Sequence, residues 1–524
     1  MINRGILELK TTAKRLLDSR SLGLLGTRGI SNSRILFSPR PTEVNTAAVS
    51  ESRSVNETPR NPRSPLNPQM SFPCLEKLER RSKKLIEEGP EPVYSKISRK
   101  NVEMFHSGEP IFLDYGGFLP EFDIAYECWG NLNEARSNVI LIHTGLSASS
   151  HAHSTSKNRS KGWWEDFIGP GKYLDTEKYF VVCTNVLGGC YGSTGPMSID
   201  PSTGEKYATT FPVVSVNDMV RAQHRLISQY FGVSKLYCSI GASMGGMQSL
   251  AYAYEFTDEV EKVISISGCA KSHPYSIAMR FCQRQVLMTD PKWNKGYYYD
   301  SVPPHSGMKL AREIATVTYR SGPEWEQRFG VERADPSSQP ALCPDFLIET
   351  YLDHAGEKWC LEYDANSLLY ISKAMDLFDM SKKIRSQAFN SRIQAEKRFK
   401  GENLSVNDLV YKPMESCKFN QPMKENRISR RFSPEEAKED LVEGMSRIAG
   451  KDVLVIGVES DILFPAWQQK EIYELLKEAG RRKGLDTSKL QHVELSQEQS
   501  YYGHDTFLLA LKDIGEPVKN FLLH

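Results

Sequence analysis

The sequence predicts an α/β protein with a mostly parallel sheet, and three observations lead to this fold class. Short apolar strands recur along residues 109–307, with a segment of helical periodicity among them. Within that region a strand is followed directly by a glycine-rich turn and a helix, at residues 236–254. The alternation stops over residues 308–450, which are helical and rich in charge, and it resumes over residues 451–524. Because strands that alternate with helices form parallel sheets, we expect one sheet domain that carries a long helical lid.

The elements of this domain are predicted in chain order. Residues 111–129 alternate around Gly116-Gly117, which predicts an antiparallel strand pair. The segment from Val216 to Phe231 places its apolar residues on one helical face. Further strands are predicted wherever an apolar run has strand length, at residues 139–143, 179–183, 235–240, 263–267, 453–458 and 492–495.

The composition is that of an ordinary soluble globular protein. Of the 524 residues, 40 % are hydrophobic and 25 % are charged. The 66 lysines and arginines nearly balance 65 acids, so no field of the whole chain favours nucleic acid or an anionic membrane. No apolar run reaches the roughly 20 residues that a membrane-spanning helix needs. We therefore expect neither a nucleic-acid partner nor a membrane association.

The first 60 residues differ from the rest and are predicted to be a targeting segment and linker. Residues 1–40 contain eight basic and two acidic residues. Apolar Ile6, Leu9 and Leu16 lie among those bases at helical spacing. This pattern is typical of a mitochondrial transit peptide and predicts a location in the mitochondrial matrix. The alternative is a disordered basic tail without a targeting function, in a cytoplasmic protein. Residues 61–108 are predicted to be a linker and N-terminal extension.

The cysteines and histidines do not predict a metal site. The ten cysteines form no C-x-x-C pair and no tight cluster with histidine, although zinc sites need such spacing. We expect them to be free thiols, several of them buried in strands. His151 and His153 are close in sequence, but no further ligand follows at metal-binding spacing.

The strongest chemical signal is the segment Gly241-Ala-Ser243-Met-Gly245. It follows the strand at residues 236–240 directly and opens a helix, which is the context of the nucleophile elbow in the α/β-hydrolase fold. Small neighbours let the chain turn sharply and expose the Ser243 hydroxyl, while the N–H of Met244 can face a reacting carbonyl. A glycine-rich helix start without chemistry is the plain alternative.

A serine nucleophile needs a base and a carboxylate that orients the base. In this fold the acid follows a late strand and the histidine lies close to the C-terminus. Asp461 and His504 occupy these positions, so we predict a triad of Ser243, Asp461 and His504, with Glu459 as the alternative acid. The loop after the strand at residues 139–143 is expected to provide a second oxyanion donor, the N–H of Leu146.

Six sequence blocks resemble the homoserine O-acetyltransferase family, whose members are acyltransferases with an α/β-hydrolase fold. The block around the predicted nucleophile reads Ser243-Met-Gly-Gly-Met-Gln248, and the last block reads Gly503-His-Asp-Thr-Phe507. The others follow the order of the family and lie at residues 185–196, 311–320, 363–370 and 460–465. Together the blocks extend over about residues 110 to 515.

The resemblance implies ping-pong transfer of an acyl group from acyl-CoA, through an acyl-serine enzyme, to the hydroxyl of an amino acid. CoA is then part of a substrate, and no cofactor is required. The resemblance also implies that Arg312 and Asp505 bind the carboxylate and ammonium of the acceptor, with Tyr319 beside them, because a zwitterion needs one fixed charge of each sign. A homodimer that involves the lid helices is implied as well.

One departure from the family concerns the acceptor. Homoserine-specific members carry a loop of the type His-Ala-Leu-Thr-Gly, whereas here the loop reads His143-Thr-Gly-Leu-Ser147. The acceptor-specificity residues of this loop are therefore Thr144, Gly145, Leu146 and Ser147. The chain looks like the fungal and bacterial branch that acylates L-serine for cysteine biosynthesis. The alternatives are a homoserine O-acetyltransferase of methionine biosynthesis and a hydrolase of esters or thioesters.

Two other departures concern the acyl donor and the lid. Family members that use succinyl donors carry an arginine two positions after the triad aspartate, and Leu463 stands there instead. This favours an acetyl donor over a succinyl donor. Within the lid, residues 382–447 form a long polar stretch that is predicted to be a solvated insertion. Its clustered bases are Arg427, Arg430 and Arg431.

Overall fold

The computed structural model describes residues 71–88, 101–402 and 433–524. All of these residues belong to one compact unit, which runs from Pro68 to His524. The predicted targeting segment and linker at residues 1–60 lie outside the described residues, as does much of the predicted extension that follows. The clustered bases of the predicted insertion lie outside them as well, namely Arg427, Arg430 and Arg431.

An eight-stranded, mostly parallel sheet forms the centre of the described fold, which confirms the predicted fold class. The strands are β1 (Glu103–Ser107), β2 (Ile111–Phe112), β3 (Phe118–Leu119), β4 (Phe122–Trp129), β5 (Val139–His143), β6 (Ile168–Gly169), β7 (Leu174–Asp175), β8 (Phe180–Thr184), β9 (Leu236–Ala242), β10 (Val260–Ile266), β11 (Asp452–Val458) and β12 (Leu490–Leu495). The order across the sheet is β1-β4-β8-β5-β9-β10-β11-β12. β4 runs antiparallel to both of its neighbours, and every pair from β8 to β12 is parallel.

The antiparallel edge of the sheet differs from the prediction. The chain reverses at Gly116, whose φ of 84° lies in the left-handed region, but only the short strands β2 and β3 pair across that turn. β4 pairs instead with β1, which the sequence analysis did not predict. β1 has no apolar run, so only its pairing with a strand further along the chain identifies it.

The helices of the described residues complete an α/β arrangement. They are α1 (Pro73–Glu88), α2 (Val216–Arg225), α3 (Met244–Glu255), α4 (Pro274–Thr289), α5 (His305–Tyr319), α6 (Gly322–Arg328), α7 (Leu347–Trp359), α8 (Ala365–Asp376), α9 (Lys382–Phe399), α10 (Pro434–Met445), α11 (Ala466–Lys483), α12 (Thr506–Leu509) and α13 (Leu511–Leu523). A single π-helical turn, Leu226–Tyr230, extends α2. Within the described part of the chain, no helix has the length and apolar character needed to cross a membrane.

Consecutive residues of the central strands face two different apolar layers. Val139 and Leu141 of β5 pack in the layer that includes α2, α3 and α11. Ile140 and Ile142 pack in the layer that includes the C-terminal helix α13. Because successive side chains of a strand point to opposite faces, helices on both sides of the sheet bury all of them. This explains why β5 and β11 appear as nearly continuous apolar runs in the sequence.

A further helix precedes the start of the predicted lid at residue 308. Helix α4 begins at Pro274, after a short loop that follows β10, and so lies within the region that the sequence analysis assigned to the sheet domain. The inner face of α4 is largely polar and buries Arg280, Gln283 and Arg284. Such a face resembles a solvated surface in the sequence, so polarity alone does not reveal that this helix is packed.

The two described ends of the predicted solvated insertion are packed helices. Arg385 in α9 is buried, and Leu441 and Met445 in α10 belong to the main apolar layer. The prediction of a solvated segment is therefore wrong for residues 382–399 and 434–445. The middle of the insertion, residues 403–432, lies outside the described part of the chain.

A buried ion cluster attaches α9 to the sheet domain. The carboxylate of Asp114 is fully buried and accepts hydrogen bonds from the guanidinium groups of Arg221 (3.1 Å), Arg385 (3.1 Å) and Arg392. The hydroxyl of Ser215 donates to the same carboxylate at 2.6 Å. Burial alone would raise the pKa of Asp114, but the three arginines outweigh it and hold the pKa well below its usual range.

Asp114→Asn is expected to lower the free energy of unfolding by about 3 kcal/mol, because it leaves three guanidinium groups, one buried and two partly buried, short of one negative charge. The midpoint of urea denaturation measures this loss. Asp166→Asn is the matched control, since the Asp166 side chain is 74 % exposed and its ion pair with Lys172 is a surface contact. Equal midpoints for the two variants would contradict the role of the cluster.

Candidate active site

Ser243 lies on a strained turn between β9 and α3. Its backbone has a φ of 61° and a ψ of −124°, which a non-glycine residue adopts only where the surroundings enforce it. The N–H of Ser243 donates to the carbonyl of Ile266 at 2.9 Å and helps to hold the turn. The two glycines of the motif are required by close backbone approach. A Cβ on Gly241 would lie 2.3 Å from the carbonyl carbon of Gly245, and one on Gly245 would lie 2.2 Å from the carbonyl oxygen of His143.

Asp461 and His504 are in direct contact. Asp461 follows β11, and His504 lies in the short helical turn Gly503–Asp505, which follows β12. His504 Nδ1 and Asp461 Oδ2 are 2.6 Å apart. The other carboxylate oxygen accepts hydrogen bonds from the N–H groups of Leu463 (2.9 Å) and Phe464 (2.8 Å), so the carboxylate is fixed in place.

The alternative acid, Glu459, is exposed and does not take this position. Its Oε2 accepts a hydrogen bond from the N–H of Gln497 at 2.7 Å. Asp461, by contrast, is 2 % exposed and contacts the histidine directly. Between the two candidates, the geometry therefore favours Asp461 as the carboxylate that orients His504.

His504 has the protonation properties of a general base. Burial of the ring would lower its pKa, but the attraction and hydrogen bond of Asp461, together with Asp505, raise the pKa above the ordinary value of 6.5. Because the Nδ1 proton faces Asp461, Nε2 of the neutral ring is an acceptor. Nε2 is buried and has no hydrogen-bond partner among the described residues. It is therefore free to accept a proton from a substrate or nucleophile.

The sheet topology brings these residues to one edge. Ser243, Asp461 and His504 follow the parallel strands β9, β11 and β12, and carboxyl ends of parallel strands meet at the same edge of a sheet. The loop at residues 144–147 follows β5, the direct neighbour of β9. A Cβ on Gly145 would lie 3.9 Å from the carbonyl oxygen of Ala242, which places this loop beside the elbow.

The carbonyl groups of this loop are held by three side chains. Gln248 Nε2 donates to the carbonyl of Thr144 at 2.8 Å, and the Tyr363 hydroxyl donates to that of Leu146 at 2.8 Å. The Tyr191 hydroxyl donates to the carbonyl of Ser147 at 3.4 Å.

The two predicted oxyanion donors are the N–H groups of Met244 and Leu146. No residue in the described part of the chain accepts a hydrogen bond from the N–H of Leu146 or from that of Met244. This is compatible with their predicted role at a developing oxyanion.

The predicted acceptor-binding residues lie together at the lid. The guanidinium of Arg312 lies 5.0 Å from the ring centre of Tyr319 and 5.2 Å from that of Trp359. Among the described residues no carboxylate forms an ion pair with Arg312, so its planar edge is available to a ligand carboxylate. Asp505 forms an ion pair with Arg320 at 3.3 Å. Burial raises the pKa of Asp505, and the attraction of Arg320, His504 and Arg312 opposes that rise.

Arg320 is a site residue that the sequence analysis did not single out. It follows Tyr319 directly and also donates to Glu324 at 2.9 Å, so it connects the end of α5 to α6 and to Asp505. The sequence signal that could have identified Arg320 is its position at the end of the family block at residues 311–320. The ion pair with Asp505 depends on a residue 185 positions away and is not visible in the sequence.

Leu463 lies beside the Asp461 carboxylate and is partly buried. Its N–H donates to Asp461 Oδ1 at 2.9 Å, and its carbonyl accepts a hydrogen bond from the hydroxyl of Ser276 in α4 at 2.9 Å. The position is thus close to the predicted triad, and its side chain brings no charge there.

His151 and His153, which are close in sequence, are paired with separate glutamates. His151 Nδ1 lies 3.0 Å from Glu127, and His153 Nδ1 lies 3.3 Å from Glu165. Their pairing with different carboxylates does not form a common ligand set.

A second group, Cys74, His354 and Glu357, has its candidate ligand atoms within 4.8 Å of one another. However, Lys77 already pairs with Glu357. Burial, with the hydrogen bonds to Asp353 and Glu357, raises the pKa of Cys74 to about 12. The carboxylate of this group thus already has a cationic partner in Lys77.

The fold and the elbow define a protein of the α/β-hydrolase class. A sequence profile described as the alpha/beta hydrolase fold matches residues 138–486. Serine O-succinyltransferase of Emericella nidulans is 58 % identical over 496 residues, which are 91 % of this chain and 93 % of that protein. Serine O-succinyltransferase of Schizosaccharomyces pombe is 50 % identical over 487 residues, which are 87 % of this chain and 95 % of that protein.

A crystal structure of homoserine O-acetyltransferase from Bacillus anthracis matches with a TM-score of 0.60 and 25 % identity, over 81 % of this chain and 97 % of that one. The chain belongs to the family of α/β-hydrolase-fold acyltransferases that contains these serine O-succinyltransferases and homoserine O-acetyltransferases. This confirms the resemblance seen in the six sequence blocks.

Proposed function

We propose that the protein transfers a succinyl group from succinyl-CoA to the hydroxyl of L-serine and forms O-succinyl-L-serine. The observation that carries the acyl-transfer chemistry is the Asp461–His504 pair, at the same sheet edge as Ser243, which follows β9. The serine O-succinyltransferases that are 58 and 50 % identical support both the acceptor and the donor. The uncharged side chain of Leu463 is the argument for an acetyl donor. It shows only that position 463 provides no positive charge for a succinyl carboxylate, and it does not concern other positions.

The first half of the proposed reaction acylates the enzyme. His504 Nε2 takes the proton of Ser243 Oγ while that oxygen attacks the thioester carbonyl carbon. The N–H groups of Met244 and Leu146 stabilise the resulting oxyanion. The carbon–sulfur bond then breaks, and the CoA sulfur leaves with the proton that His504 returns.

In the second half the acceptor hydroxyl replaces water as the nucleophile. His504 removes its proton, the hydroxyl oxygen attacks the acyl ester, and Ser243 regains a proton as the new ester leaves. A transferase must favour this hydroxyl over water. Arg312 and Asp505 serve this need, since they fix the two charges of an amino acid and so orient its side-chain hydroxyl.

The decisive experiment measures CoA release with succinyl-CoA or acetyl-CoA crossed against L-serine or L-homoserine. Release that depends on L-serine and succinyl-CoA is the expected result. Preference for acetyl-CoA would assign the donor as Leu463 suggested, and dependence on L-homoserine alone would assign the alternative role in methionine biosynthesis. Steady release of CoA without any amino acid would overturn transfer in favour of hydrolysis.

The pH dependence of the reaction is expected to follow His504. Only the neutral ring can accept the Ser243 proton, so kcat/KM for the acyl donor falls as the pH drops through the His504 pKa. Since Asp461 and Asp505 raise that pKa despite burial, the midpoint of this fall lies above 6.5. A pH–rate profile measures it, and a midpoint at or below 6.5 would contradict the assignment.

The biological setting follows from the same proposal. Acylation turns the serine hydroxyl into a leaving group that sulfide can replace, as cysteine biosynthesis requires. From residues 1–40 we infer import into mitochondria, which fluorescence microscopy of the full chain tests. Light scattering tests the homodimer that the family resemblance implies.

A further inference from the structure

A buried tyrosine of the lid contacts the loop at residues 144–147. Tyr363 lies in the turn between α7 and α8 and is 1 % exposed. Its hydroxyl donates to the carbonyl of Leu146 at 2.8 Å. Burial raises the pKa of this hydroxyl well above the ordinary value of 10, so the group keeps its proton. Tyr363 is therefore a hydrogen-bond donor to the loop at every pH at which the protein works.

The Tyr363 side chain is held in place by two aromatic rings and a capped helix. Its ring stacks on that of Trp359, with ring centres 5.1 Å apart and an angle of 12° between the planes. The ring of Tyr191 meets it edge-on, at 5.7 Å and 71°. The next residue, Asp364, is fully buried and caps α8, since its carboxylate accepts from the N–H of Ser367 at 2.8 Å. The hydroxyl thus approaches the loop from a fixed position.

Two side chains hold the peptide units on either side of the predicted oxyanion donor. The N–H of Leu146 belongs to the peptide unit that joins Gly145 to Leu146. Gln248 donates to the carbonyl of the preceding unit, which is that of Thr144. Tyr363 donates to the carbonyl of the following unit, which is that of Leu146. Because a peptide unit is planar, these two contacts restrain the Cα positions at both ends of the central unit.

The direction of the central N–H follows from these restrained positions. The remaining motion is a rotation of the central unit about the line between its two Cα atoms, which changes ψ of Gly145 and φ of Leu146. Glycine tolerates such a change, whereas a leucine disfavours positive φ. With the Cα atoms held, the N–H of Leu146 keeps one orientation. Without the Tyr363 contact, one end of the unit loses its restraint.

We propose that Tyr363 is a positioning residue that holds the Leu146 N–H where the oxyanion develops. The inference rests on the proposed function, since it requires that Ser243 forms a tetrahedral intermediate beside this loop. It adds that a side chain of the lid, acting through the backbone of Leu146, supports the stabilisation of that oxyanion. An oxyanion forms when the enzyme is acylated and again when the acceptor attacks, so Tyr363 acts in both halves of the reaction.

A role in acceptor binding is the competing explanation for Tyr363. Its stacking partner Trp359 also contacts the guanidinium of Arg312, which lies 5.2 Å from the Trp359 ring centre. The two roles have different kinetic consequences. A residue that supports only the acceptor site raises KM for serine and leaves acylation unchanged, because acylation precedes acceptor binding. A residue that positions the oxyanion donor slows both half-reactions.

The variant Tyr363→Phe removes the hydroxyl and keeps the ring stack. Stopped-flow measurement of CoA release from succinyl-CoA or acetyl-CoA, whichever the wild type uses, gives the rate constant of acylation, and the burst amplitude counts active sites. Addition of L-serine to the acyl-enzyme gives the rate constant of transfer. Removal of an oxyanion donor costs about 10²- to 10³-fold, and its displacement costs part of that. We therefore expect both rate constants to fall about 10-fold at an unchanged amplitude.

Tyr370→Phe is the matched control. Tyr370 lies in α8 and also donates its hydroxyl to a backbone carbonyl, that of Phe211 at 2.7 Å, which is not part of the loop at residues 144–147. It should keep both rate constants. Replacement of Tyr363 by 4-aminophenylalanine retains a weaker donor at the same place, so it should lower both rate constants by only about 3-fold.

The outcomes separate this inference from the proposed function. Unchanged rate constants with a lower amplitude in Tyr363→Phe would show a purely structural role and overturn the inference, as would unchanged acylation with a raised KM for serine. If Tyr363→Phe does not fold, the 4-aminophenylalanine variant decides, because a structural role would leave its rate constants per active site at the wild-type values. A wild type that forms no acyl-enzyme would overturn the proposed function itself.

Discussion

Replacing Ser243 with alanine is expected to lower serine-dependent CoA release by at least about 10⁴-fold. The hydroxyl is the group that would carry the acyl chain, and its neighbours Ala242 and Met244 offer no nucleophile. Alanine has a Cβ, as serine does, so the φ of 61° strains the backbone of the variant no more than that of the wild type. We therefore expect the variant to fold and to lose only the chemistry.

Ser249 in α3 provides the matched control for this experiment. It is fully buried, and its hydroxyl donates to the carbonyl of Ile264 at 2.9 Å. Ser249→Ala should cost about 1 kcal/mol of stability and retain transfer. Mass spectrometry of the intact protein after incubation with succinyl-CoA alone should detect one acyl group on the wild type and on Ser249→Ala. An acyl group on Ser243→Ala would contradict the assignment.

The sheet was predictable because its strands are buried on both faces. The runs at residues 139–142 and 453–458 contain no polar side chain, so they identify strands without knowledge of their partners. The edge strand β1 has no such run and depends on β4 for its hydrogen bonds. Strand pairing is a non-local property, which is why the prediction missed it.

Charged side chains account for most of the differences between the fold predicted from the sequence and the fold observed. Arg385 and Arg280 lie on helices whose sequences suggest solvated faces, yet both are buried. Their partners, Asp114 and Asp376, are 271 and 96 residues away. Burial of a charge depends on a partner that only the folded chain brings close, so polarity alone does not predict exposure.

The candidate site was largely predictable since its signals are local. The elbow requires small residues within one turn, and the close approaches at Gly241 and Gly245 show the physical need for them. The order of Asp461 and His504 after late strands added the second signal. Arg320 was missed because its contact with Asp505 appears only in three dimensions.

Asp461→Asn is expected to lower kcat by about 10⁴-fold while the protein stays folded. The asparagine carbonyl can still accept from the N–H groups of Leu463 and Phe464, so the amide nitrogen must face His504 Nδ1. That nitrogen is a donor, and it forces Nδ1 of the neutral ring to act as the acceptor. The proton then lies on Nε2, where the base is needed.

The same substitution has a signature that a structural defect would not produce. Loss of the Asp461 charge removes the main attraction that raises the His504 pKa, so the acid limb of the residual activity should move to lower pH than in the wild type. Glu459→Gln is the matched control, because Glu459 is the other acid of this loop and its carboxylate contacts only the Gln497 N–H among the described residues. It should keep both the rate and the midpoint. An equal loss in the two variants, or an unmoved limb in Asp461→Asn, would show that Asp461 does not orient the base.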